Sequence, residues 1–158
     1  MGLHELSAVL WRERELLDVL LYKLDVERLL LATDRHRWLG RAAHEIAYVT
    51  DRLKEVGLAR AVESGEAAEE LGVGADATLR ELAEATEDPV WRDILEAHLA
   101  ALRDVTAEIA ALRDANELLL RRTATTAPPG GRPAGHDTYD ASGRTRVAHA
   151  ATLVDEET

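Results

Sequence analysis

The sequence contains no cysteine and no phenylalanine, and aromatic residues make up only 4% of it. The first absence excludes disulfides, thiolate metal sites and cysteine nucleophiles together, and it suits a reducing compartment. The second means that any core must be aliphatic, built from Leu, Ala, Val and Ile. Charge of one sign is also scarce. Against 30 acidic residues stand 19 basic ones, nearly all Arg, for a formal net charge of −11. So acidic a chain repels a phosphate backbone, and no basic stripe reverses this locally, which argues against nucleic-acid partners. No apolar run approaches the roughly 18 residues a membrane helix needs, so no membrane insertion is expected. The stretch Leu16–Tyr22 is the greasiest, and Asp18 interrupts it. The opening Met1-Gly2-Leu3-His4-Glu5-Leu6 lacks the basic and apolar regions of a signal peptide.

Hydrophobic residues still make up 46% of the 158, and a Leu- and Ala-rich chain with 31% charged residues has the composition of long amphipathic helices in one domain. From Leu3 to about Ala32 the leucines at 3, 6, 10, 17, 20, 24 and 31 follow alternating steps of three and four once Glu13 and Glu27 are counted as polar interruptions. That spacing predicts a first helix with a heptad seam, with Glu13 and Glu27 as places where the seam opens to solvent. Thr33-Asp34 is the first plausible break, through either side chain capping a second helix, although helices 1 and 2 joined by only a kink fit equally. A second helix runs through Leu39, Ala42, Ile46, Val49, Leu53 and Val56 and fades near Arg60–Glu63. Ser64–Ala77, with Gly65, Gly72 and Gly74, reads as a connector holding one short helical turn at Glu66–Leu71.

Thr78-Leu79-Arg80-Glu81 has the form of a capping box and predicts a short helix to about Ala85. Glu87-Asp88-Pro89 is a stronger start signal, because Asp accepts from orphan amides and Pro has no amide to waste at the first helical position. The helix it opens runs Trp91, Leu95, His98, Leu102, Val105, Ile109, Leu112, Asn116 and Leu119, and the basic pair Arg121-Arg122 marks its end. Beyond it, residues 123–158 hold three of the four prolines and four of the ten glycines without apolar periodicity. The expected architecture is therefore all-α: an elongated three-helix antiparallel bundle or coiled coil over residues 1–122, with a short extra helix and a disordered carboxy-terminal tail over 123–158.

Chemistry-bearing patterns are missing. None of the six His has an acid three residues before it, and no two lie four apart, so neither a di-iron bundle nor a zincin site is present. Phosphate loops and nucleophile elbows are absent too, and neither an enzyme nor a cofactor is expected. His98 reads as a residue at a helix–helix contact. Asn116 reads either as a register-fixing seam residue or as a partner-facing hydrogen-bonding group. Trp11, Trp38 and Trp91 read as anchors at the edge of the core.

The layout resembles the FlgN family. The resemblance rests on Trp11-Arg12-Glu13-Arg14-Glu15-Leu16-Leu17 and Tyr22-Lys23-Leu24 in the first helix, then Arg37-Trp38-Leu39, Leu58-Ala59-Arg60-Ala61-Val62 and Leu79-Arg80-Glu81-Leu82-Ala83. Ala115-Asn116-Glu117-Leu118-Leu119 closes the late helix, and Thr138-Tyr139-Asp140-Ala141-Ser142-Gly143 lies in the tail. The resemblance implies a cytoplasmic type III flagellar export chaperone. Such a protein binds the helical termini of hook-associated junction proteins of the FlgK and FlgL types, prevents their premature assembly and delivers them to the export gate. It also implies partner binding by the late helix, on Leu102, Val105, Ile109, Leu112, Asn116 and Leu119, and export-gate docking through Tyr139. The alternative left open by the residues themselves is a structural coiled-coil protein that self-associates through the same seams and has no secretion client.

Overall fold

The computed structural model describes residues 2–126, and every regular element among them is helical. Helix α1 spans Gly2–Ala32, a 3-10 turn spans His36–Trp38, α2 spans Leu39–Leu71, α3 spans Leu79–Ala85 and α4 spans Pro89–Thr126. The seven leucines of the first heptad seam are the seven buried residues of α1. All of them except Leu31 form one aliphatic core with Val49, Ala67 and Ala68 of α2, Leu79, Leu82 and Ala83 of α3, and Leu95, Leu102, Val105 and Ile109 of α4.

Cross-helix bonds give the direction of each helix. The Gly2 amide donates to Glu70 Oε2 at 2.9 Å, Arg60 donates to Glu13 at 3.1 Å, and Lys23 donates to Glu45 at 2.7 Å. As numbering rises along α1 it falls along α2, so the two are antiparallel. Ser7 meets His98, while Leu24 meets Asn116, so α4 runs parallel to α1. The result is an up-down-up three-helix bundle with α3 in the crossover between α2 and α4.

The breaks have local causes. Helix α1 does end at Thr33-Asp34, but neither side chain caps the next helix. Thr33 Oγ1 instead donates back to the Leu29 carbonyl at 2.6 Å, and Asp34 takes a left-handed φ of 59°. The Arg35 amide then closes on the Leu30 carbonyl at 3.0 Å, the six-to-one bond of a Schellman ending. Helices 1 and 2 are therefore separate.

Helix α2 is longer than its apolar pattern suggests. It passes through Gly65 and ends only at Leu71, where Gly72 (φ 70°) and Val73 donate back to Glu69 and Ala68. Its last turns carry small residues because the backbones nearly touch there. Ala67 and Ala68 are fully buried, and a Cβ at Gly2 would lie 2.9 Å from the Ala67 nitrogen.

The two start signals stand as read. Thr78 and Glu81 form a reciprocal capping box, and Asp88 Oδ1 accepts from the Val90 amide at 2.8 Å. Arg92 ties the two helices together by donating to the carbonyls of Ala83 and Thr86 at the end of α3. Helix α4 continues to Thr126, past the basic pair that marks its expected end. The tail expected to be disordered lies, from residue 127 on, outside the described residues.

Candidate functional site

The six residues singled out on the late helix occupy one continuous stripe of α4, and the fold turns that stripe inward. Leu102, Val105 and Ile109 are buried in the shared core, and Asn116 is only 2% exposed. Leu112 and Leu119 are half-buried, with Leu112 packed against the core. In the free chain this stripe is what α1 packs on. The exposed apolar residues nearby are Leu118 and Leu120, which flank Leu119 near the end of α4. Tyr139 lies outside the described residues.

Two polar stations interrupt the α1–α4 seam. At the first, His98 is buried to 1% exposure, with Ser7 Oγ 3.2 Å from Nε2 and Arg14 3.5 Å from Nδ1. A guanidinium only donates, so Nδ1 accepts and the Nε2 proton goes to the Ser7 hydroxyl. The Trp11 and His98 rings meet in a T-shaped arrangement at 5.1 Å between centroids, and Arg14 lies 4.3 Å over the indole. Burial, and then the Arg14 charge, push the His98 pKa below its ordinary value. The imidazole is held neutral.

At the second station, Asn116 Nδ2 donates to the Leu24 carbonyl at 2.9 Å and to Glu27 Oε2 at 2.8 Å. Both partners are acceptors, so the amide orientation is fixed. Glu27 is thus no opening of the seam to water but a seam contact. Glu13, expected to be another opening, is half-buried and receives Arg60 from α2. A sequence read one helix at a time misses both roles, because each acid's partner lies in another helix.

The tryptophans differ among themselves. Trp91 is half-buried in a T-shaped contact with His4, whereas Trp11 and Trp38 are 52% and 48% exposed. Among the described residues no group of three or more His, Asp or Glu side chains is placed to hold a metal ion, and no helix is long and apolar enough to cross a membrane. The surface depressions are open and shallow. What this arrangement offers chemically is a long aliphatic seam with two hydrogen-bonding stations, which suits helix pairing.

A family model described as FlgN protein matches residues 1–126. No curated protein and no solved structure matches the chain.

Two predictions test the stations. Asn116→Asp places a carboxylate against the Leu24 carbonyl and the Glu27 carboxylate, and should destabilise the fold by roughly 3 kcal/mol in urea unfolding. Asn116→Leu should cost little or even stabilise, at the expense of a unique register. For His98 the folded pKa lies below the unfolded value, so the unfolded chain takes up the proton first as pH falls. Its contribution is complete above about pH 6.5 and is lost progressively below that, down to the lowered folded value. Unfolding free energy measured from about pH 7.5 to 5.5 should fall, and His98→Gln should flatten that part of the profile.

Proposed function

The chain belongs to the FlgN family of flagellar export chaperones, and from that premise we propose that it is a cytoplasmic carrier of hook-associated junction proteins of the FlgK and FlgL types. It holds their helical termini, prevents premature assembly and delivers them to the export gate. The observation that carries this reading is the family match across all the described helices, joined to an α4 seam built for helix pairing. An amphipathic client helix reads such a seam through anchors spaced three and four residues apart. Coupled folding of the client costs conformational entropy, which keeps affinity moderate and permits release at the gate.

The client-binding residues in this reading are Leu102, Val105, Ile109, Leu112, Asn116 and Leu119. Their burial in the free chain adds a condition: the client enters where the seam is already partly open. Leu112 and Leu119 are half-buried, and Leu118 and Leu120 are exposed, so the carboxy-terminal turns of α4 form the entry point. Helix ends open at lower cost than helix centres, so the client displaces α1 from α4 progressively from that end. Tyr139 serves the gate rather than the client.

The experiment is co-purification of the full chain with junction proteins encoded by the same genome. Leu118→Glu combined with Leu120→Glu alters exposed positions, so the fold should persist while client capture is lost. Tyr139→Ala should keep the client and reduce its secretion. Client capture by the double variant would show that the end of α4 is not the entry point, and the lack of any junction-protein capture by the unaltered chain would remove the chaperone reading itself.

A further inference from the structure

Helix α1 is apolar on two sides. Opposite the buried leucine seam, Ala8, Trp11, Val19, Tyr22, Val26 and Leu29 recur at steps of three and four once Glu15 is included as the polar member. Each of these positions lies two residues beyond a position of the seam or its immediate flank (Leu6, Val9, Glu13, Leu17, Leu20, Leu24 and Glu27). Two residues are about 200° of helix, so the second stripe points away from the core. Trp11, Val19, Tyr22 and Leu29 are 52%, 41%, 64% and 54% exposed, Ala8 and Glu15 are also exposed, and Val26 is half-buried.

Scattered surface apolar residues need no explanation, but these are aligned along one face for about 32 Å at the helical rise. Two of them also touch α4, Trp11 through its ring against His98 and Tyr22 in a groove shared with Glu108, yet both keep half or more of their surface exposed. The heptad spacing is what a second helix reads when it lays its own apolar face on this one.

Charge decides between occupants. Glu15 lies within the stripe, and Asp18 and Asp25 lie on its shoulder, where they line a shallow groove with Tyr22, Leu21 and Glu108 of α4. Of the basic residues nearby, Arg14 stacks on Trp11 and reaches His98, Lys23 bonds Glu45, and Arg28 pairs with Asp25 and neutralises it, so Glu15, Asp18 and Glu108 outweigh the exposed Arg12. A second copy of the chain would bring an equally acidic face against this one, on two molecules of formal charge −11 each. A helix with an apolar face and basic flanks meets no such repulsion.

We propose that this outer face of α1 is a second docking site, distinct from the α4 seam, which takes an amphipathic helix flanked by Lys or Arg. Assigning that helix to an export client rests on the chaperone reading, whereas the face and its charge preference do not.

The probe is a fluorescent peptide of about 21 residues, the length that covers the stripe at 1.5 Å per residue. It carries Leu at the three–four positions and Lys on the flanks, and a second peptide carries Glu there. Full-length protein should bind the Lys-flanked peptide at least about tenfold more tightly than the Glu-flanked one, with binding weakened by salt. Val19→Glu with Tyr22→Glu should weaken it by about tenfold or more, and Glu15→Lys with Asp18→Lys should remove the charge preference. Leu118→Glu with Leu120→Glu, which targets the α4 entry, should leave it unchanged. Circular dichroism confirms that each variant retains its helices.

Equal binding by the Val19/Tyr22 variant, or no binding of either peptide, would overturn the proposal. A dimer of the free chain that the same variant dissociates would assign the face to a second copy, and gain of peptide binding on removal of residues 127–158 would assign it to that segment. Either result overturns the stated occupant. Peptide binding at α1 without junction-protein capture would leave this site standing and remove the chaperone reading. Junction-protein capture that is indifferent to the α1 variants would do the reverse.

Discussion

The leucine seam of α1 is the constraint on which the other elements depend. Leu3, Leu6, Leu10, Leu17, Leu20, Leu24 and Leu31 are all buried, and α2, α3 and α4 contribute to the same core. Burying one such side chain contributes about 1.5–3 kcal/mol, whereas an exposed ion pair contributes roughly 0–1 kcal/mol. Apolar burial therefore holds the bundle together, and the polar contacts mainly set its register. Towards α2 the register contacts are Gly2 with Glu70, Glu13 with Arg60, and Lys23 with Glu45. Glu45 also accepts from Arg41, and the two cations, Arg41 more than Lys23, bring its pKa down to about 2. Towards α4 the register contacts are His98 and Asn116.

This division of labour bears on function. Because aliphatic packing has little directionality, the surface that stabilises the free chain can also accept another helix of the same pattern. In the proposed reading a chaperone that must release its cargo gains from such interchangeability, since the client's apolar face and its own would compete for one seam on comparable terms. In the proposed reading Asn116 would make the exchange specific at one level: its two N–H donors need a carbonyl and a carboxylate at fixed heights, and a client lacking them would leave those donors unsatisfied. The outer stripe of α1 is free of that competition, so a helix could dock there with the bundle intact.

The α1 seam, the capping box at Thr78 and the Asp88-Pro89 start are legible in the sequence because each depends on residues adjacent in the chain or one helical turn apart. The end of α2 is not. Its last turns hold Ala67 and Ala68 in place of large apolar residues, and only the approach of Gly2 from α1 explains why small residues are the core there. Glu13 and Glu27 mislead for the same reason: an acid on a seam looks like a gap until Arg60 or Asn116 arrives from another helix. The late-helix stripe is legible as a set, but periodicity marks a face as apolar without saying whether the chain itself already covers it. The family resemblance rests on order and spacing across many weak pieces, and the match over residues 1–126 agrees with it.

The most direct test of α1 as the common scaffold is amide hydrogen exchange on the full chain, free and bound to a junction protein. In the free chain, amides from Leu6 to Leu24 should exchange only through global unfolding, while those after Asn116 open locally and much faster. Client addition should slow the latter group. If the end of α4 is as protected as α1 in the free chain, or is unaffected by client, the seam is not the exchangeable surface described.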